Sequence, residues 1–125
     1  MDLDAFRRLC LSLPHATEGV QWGDDLLFRI GGKIFASVTL EPEHGCRICC
    51  KTTPEKFAEL LERSGTMPAP YVGRYHWIGL EDFNTLPRRE LEALVRESYE
   101  LVAAKLTRKP ARKRLQRKKR KKRSE

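Results

Sequence analysis

The stretch LLFRIGGKIFASVTL, residues 26–40, decides the fold. Leu26, Phe28 and Ile30 recur at every second position, Gly31-Gly32 supplies the positive φ angles of a two-residue hairpin turn, and Ile34, Ala36, Val38 and Leu40 return on one side. An antiparallel hairpin with one buried face follows. Towards the N-terminus, residues 19–22 predict a shorter strand that ends in a turn at Gly23-Asp24. Towards the C-terminus, Glu41-Pro42-Glu43-His44-Gly45 is rich in turn formers, after which Cys46, Ile48 and Cys50 alternate with Arg47, Cys49 and Lys51 to predict a fourth strand.

Helical spacing flanks this block. Asp2 is placed to cap a first helix in which Leu3, Phe6, Cys10 and either Leu9 or Leu13 form the apolar stripe, Arg7 and Arg8 face solvent, and Pro14 stops the helix. Thr53 caps a second helix with Pro54 in its first turn and Phe57, Leu60 and Leu61 as its stripe, closing before Gly65. Met67-Pro68-Ala69-Pro70 then predicts an extended loop, because each proline turns its predecessor away from the helical region. Residues 75–80 predict a fifth strand with Trp77 as its largest side chain. A final helix begins around Pro87 and lines up Leu91, Leu94, Val95, Ser98, Tyr99, Val102 and Leu106. The order α-β-β-β-β-α-β-α, with helices covering one face of an antiparallel sheet, is a two-layer α+β fold.

The charge is distributed unevenly. Residues 108–125 contain twelve Lys or Arg and one Glu, a formal +11, whereas the preceding 107 residues hold thirteen basic and sixteen acidic side chains, a formal −3. The basic sequence pI of about 9.6 therefore describes an appendage. One domain over residues 1–106 and a Lys/Arg-rich tail over 107–125 are expected, with Pro110 breaking the helix and like-charge repulsion keeping the unbound tail disordered. The tail cations are Arg108, Lys109, Arg112, Lys113, Arg114, Arg117, Lys118, Lys119, Arg120, Lys121, Lys122 and Arg123. Such a run neutralises phosphates without reading bases, since no aromatic residue is interleaved with it. The bland alternative is a solvated, dispensable extension.

Signatures of catalysis are missing from the sequence: there is no G-x-S-x-G, Walker A, H-E-x-x-H or G-x-G-x-x-G pattern. Asp24-Asp25 fit turn chemistry, and His15 and His44 fall in solvated turns. Cys46 and Cys49 form a C-x-x-C, but strand alternation puts positions i and i+3 on opposite faces and no second ligand pair completes a metal site. Reduced thiols are expected, with no metal and no cofactor. Tyr71-Val72-Gly73-Arg74-Tyr75-His76-Trp77 crowds aromatic, cationic and imidazole groups together and is suited to stacking on bases or holding an anion. The competing reading sends Tyr75 and Trp77 to one face of a strand and Arg74 and His76 to the other.

These stretches together resemble the MmcQ/YjbR-like family. The resemblance rests on the first helix with Leu13-Pro14 and Glu18, Trp22-Gly23, Phe28 to Ile30, Gly32-Lys33-Ile34-Phe35-Ala36, residues 51–57, residues 70–78 and Glu97-Ser98-Tyr99-Glu100-Leu101-Val102. It covers about residues 2–106, and the basic tail extends past the family's usual end. The resemblance implies a CyaY-like (frataxin-like) α+β domain and a non-enzymatic DNA-binding role through a double-wing arrangement of the sheet. Carried over residue by residue, the family's motif positions are Trp22, Lys33, Phe35, Arg74, His76, Trp77, Ser98 and Tyr99. Lys33 and Arg74 are the cations among them, with His76 beside them. The frataxin-like fold also invites an iron-binding reading, which Asp2 and Asp4 are too few to support and Arg7 and Arg8 oppose.

The expected function is thus nucleic-acid binding, DNA more than RNA, by the tail together with Lys33, Arg74 and His76. The alternative is a small-molecule or protein-interaction domain whose tail binds RNA or another polyanion. A monomer in the cytoplasm, without membrane association, completes the expectation: no apolar run is long enough to span a bilayer and no export signal opens the chain.

Overall fold

The structure, a computed structural model, describes residues 1–21, 24–40 and 45–121, with side chains described as far as Leu106 apart from that of Gln21. Helix α1 spans Leu3–Leu11, β1 Thr17–Gln21, β2 Asp25–Ile30, β3 Lys33–Thr39, β4 Ile48–Lys51, α2 Pro54–Leu60, β5 Thr66–Pro68, β6 Trp77–Leu80 and α3 Arg88–Lys121. The six strands form one antiparallel sheet in the order β1-β2-β3-β4-β6-β5. Helix α3 packs across β3 and β4. The two-layer α+β reading holds.

Capping follows the sequence closely. The Asp2 carboxylate accepts the Ala5 N–H at 2.8 Å and the Thr53 hydroxyl accepts that of Lys56 at 3.2 Å, each filling a donor that the first helical turn leaves open. Gly31 and Gly32 both take positive φ, 57° and 82°, as a twist-matched hairpin turn requires. The core gathers Phe6 and Cys10 of α1, Leu26, Phe28 and Ile30 of β2, Val38 of β3, Ile48 and Cys50 of β4, Ile78 and Leu80 of β6, and Leu91, Leu94, Val95 and Val102 of α3. Phe6, Phe28 and Phe35 run through it as a chain of tilted and edge-on rings that ends on Tyr99.

Four expectations are corrected. Strict alternation put Phe35 on the solvent side of its strand, yet it is fully buried. The register explains this: Phe28 pairs with Ala36 and Arg29 with Ile34, so Phe35 is the extra residue of a β-bulge and turns inward. Met67 and Pro68, expected in an extended loop over residues 67–70, belong instead to edge strand β5 against β6, where a proline costs no ladder hydrogen bond. Tyr75 and His76, expected to open the fifth strand, lie outside it: Tyr75 ends a short 3-10 turn over Gly73–Tyr75, and His76 follows with φ of 68°. Finally, the backbone of α3 runs through Pro110 to Lys121. Lys, Arg, Gln, Leu and Ala are all strong helix formers, and that local preference carries the backbone past a single proline. The tail side chains, Trp22-Gly23, residues 41–44 with His44, and residues 122–125 lie outside the described residues.

Candidate nucleic-acid interface

The strand ends decide which cations meet. At one end of the sheet β2 stops at Ile30, β3 starts at Lys33, β4 stops at Lys51 and β6 starts at Trp77, with Lys51 and Trp77 directly paired. Lys33 is exposed there, immediately after the hairpin glycines. Helix α3 passes the same end: the Leu106 side chain lies over Gly31, where an added Cβ would fall 2.5 Å from Leu106 Cδ1. The basic tail begins at the next residue, Thr107.

The ammonium groups of Lys51, at the end of β4, and Lys105, on α3, lie close enough to repel each other. Partial burial holds the Lys51 ammonium below its ordinary pKa, and the neighbouring Lys105 charge lowers it further. Among the described residues, none of Lys33, Lys51, Arg74 and Lys105 forms an ion pair. Elsewhere Arg7 pairs with Glu18 at 2.5 Å, Arg63 with Glu90 at 2.8 Å and Arg88 with Glu92 at 3.3 Å.

The aromatic segment adjoins this end. Both the backbone N–H and the hydroxyl of Thr52 donate to the His76 carbonyl, at 2.9 and 2.7 Å, tying the turn to the residue after Lys51. The His76 ring meets Phe57 of α2 edge-on with centroids 5.5 Å apart, so this imidazole is half-buried and packed. Arg74 is exposed, its guanidinium lying 4.9 Å from the Tyr75 ring centroid. Tyr75 and Tyr71 project outward, 53% and 91% exposed.

Of the residues singled out in the sequence, Lys33 and Arg74 are therefore exposed at this end, while His76 serves packing as well. Sequence reasoning missed Lys51 and Lys105, because only the crossing of α3 over β4 brings a strand end and a helix turn 54 residues apart into contact. Ser98 proves to be the pin of that crossing. Fully buried, its hydroxyl donates to the Phe35 carbonyl at 2.5 Å and accepts the Lys51 N–H at 2.9 Å.

The C-x-x-C reading is corrected too. Cys46 and Cys49 Sγ lie 3.5 Å apart, because Cys46 precedes β4 and escapes strand alternation, folding back beside Gly79. Their mutual hydrogen bond lowers the Cys46 pKa and raises that of Cys49. Among the described residues no group of three His, Cys, Asp or Glu converges as a metal site, and no helix is long and apolar enough to cross a membrane.

The YjbR family model matches residues 11–101. The chain belongs to the YjbR family. A crystal structure of Deinococcus radiodurans protein DR2400, described by its DUF419 domain, superimposes with a TM-score of 0.70 at 26% identity, covering 81% of this chain and 78% of that one. A Pseudomonas syringae protein superimposes with a TM-score of 0.69 at 22% identity, covering 81% of this chain and 98% of that one, a likeness of fold. No curated protein matches the sequence. The YjbR match stops at residue 101, so Lys105, Leu106 and the tail that continue α3 past the sheet end fall outside the shared region.

Proposed function

We propose that this YjbR-family chain is a non-enzymatic DNA-binding protein whose basic tail, residues 107–125, and unpaired sheet-end cations bind phosphates together. The observation that carries this reading is the Lys51–Lys105 contact, two ammonium groups held against each other without a carboxylate partner among the described residues. Such an arrangement costs electrostatic free energy in the unbound chain, and a phosphate placed between the two cations removes the cost. Lys33 and Arg74 extend the same end, and the tail continues from it. The tail supplies affinity that is blind to sequence, since phosphate contacts position a duplex without reading bases. The domain supplies orientation.

The test separates the two parts. In residues 1–106 alone, Lys51→Gln with Lys105→Gln weakens residual binding to a 20-base-pair duplex at least fivefold at low salt, and Lys33→Ala with Arg74→Ala weakens it to a smaller degree. Unchanged affinity in both double variants removes the domain from the interface. A small-molecule or protein-interaction domain is the second reading, and it requires ligand binding that survives both pairs of substitutions.

A further inference from the structure

Building on the phosphate-binding reading, we infer that the preferred ligand is single-stranded DNA, with Tyr71 and Tyr75 as a platform on which bases stack beside the cationic sheet end. The exposure of these rings is the first ground. A tyrosine carries a large apolar surface that small domains ordinarily bury, yet Tyr71 is 91% and Tyr75 53% exposed. Four residues apart in one turn, they stand outside a core that has abundant aromatic side chains of its own.

Backbone geometry is the second ground. Tyr71 has φ of 69° and His76 φ of 68°, conformations that cost a bulky L-residue free energy and persist only where the surroundings enforce them. Here the surroundings do so. Gly73 packs so closely on Pro68 that an added Cβ would lie 2.7 Å from the Pro68 Cβ. The Tyr75 N–H donates to the Val72 carbonyl at 3.0 Å and the His76 N–H to that of Gly73 at 2.9 Å, while Thr52 holds the His76 carbonyl from β4. The segment is thus clamped at its base and bare at its tips. A backbone held this firmly fixes where the two rings leave the turn, which lowers the ordering cost of stacking.

Placement is the third ground. Arg74 lies on the Tyr75 face, and a guanidinium so placed meets a phosphate while the ring beside it meets the base. The bonds from buried Thr52 to the His76 carbonyl tie this turn to the strand end that carries Lys51, beside Lys105 and the start of the tail. Exposed rings thus stand near a group of cations, the combination on which single-strand binding relies. In a duplex the bases are already stacked and offer these tyrosines no open face.

Fluorescence anisotropy of the full chain with a dT20 strand and with a 20-base-pair duplex, at 50 and 200 mM salt, decides the matter. Each stacked base is worth roughly a five- to hundredfold factor in affinity. Tyr71→Ala with Tyr75→Ala is therefore expected to weaken dT20 binding at least tenfold and to leave duplex binding within twofold. Tyr71→Phe with Tyr75→Phe, which keeps both rings, is expected to restore dT20 binding. The inference is overturned if the alanine pair leaves dT20 affinity unchanged, or if both ligands weaken equally. Failure of the unsubstituted chain to bind either ligand overturns the phosphate-binding reading along with it, whereas duplex binding without a dT20 preference overturns the stacking platform alone.

Discussion

Ser98 and the cysteines show what single residues decide. Ser98 satisfies one carbonyl of β3 and one N–H of β4 with a single hydroxyl, in a place closed to water. Ser98→Ala strands both groups and is expected to cost about 1–3 kcal/mol, read as a lower urea midpoint with an unchanged m value. Because the Lys51 N–H is one of those groups, the same variant is expected to loosen the Lys51–Lys105 contact. Lys51 itself gives an effect of opposite sign. Its pKa is lowered in the fold, so between the folded and the unfolded pKa the unfolded chain binds more protons, and stability rises with pH across that window. Lys51→Gln should flatten that rise in a pH series of thermal midpoints while weakening DNA binding. Among the thiols, burial pushes Cys50 up to about 12 and also raises Cys10, and neither is exposed. With a thiol-reactive dye under native conditions, the Cys46–Cys49 pair, which shares a lowered thiol and a partly exposed one, should label before Cys10 and Cys50, which label only after unfolding.

At the scale of elements, the first two helices were legible because each carries its own cap, stripe and stop within a few residues, as Asp2 to Pro14 and Thr53 to Leu60 do, whereas α3 runs on past the proline expected to stop it. The hairpin was legible for the same local reason. Phe35 was not, since a bulge is settled by two strands together and its only trace in sequence is a large apolar residue out of phase. Edge strand β5 was hidden by its proline, which sequence rules assign to loops and which an edge tolerates. Beyond the buried stripe, the close approach of Leu106 to Gly31 helps seat the end of α3. Gly31→Ala forces a Cβ into Leu106 at a residue with φ of 57°, so it is expected to cost about 1–2 kcal/mol and to increase amide exchange around residues 102–106. Normal exchange there in a stable variant would show that this contact does not hold the end of the helix.

For the whole molecule, charge counting separated an appendage from a slightly acidic domain, but could not say where the two meet. The fold supplies the point of meeting: α3 carries its C-terminal half past Lys33 and Lys51, so the tail leaves from the end of the sheet where cations lack partners. Lys33 and Arg74 were visible from the resemblance to the family, whereas Lys51 and Lys105 meet only in three dimensions. The buried core closes at Val102, so removing residues 107–125 is expected to leave the thermal midpoint of the domain within about 2 °C, a shift of a few tenths of a kcal/mol.

The central claim is that tail and sheet end bind phosphates as one surface, and the salt dependence of duplex affinity tests it most directly. For the full chain, the logarithm of affinity should fall steeply against the logarithm of salt, by about 0.9 for each phosphate neutralised. Residues 1–106 should retain a shallow slope, which Lys51→Gln with Lys105→Gln reduces further. Equal affinity and equal slope for the full chain and residues 1–106 would contradict the account.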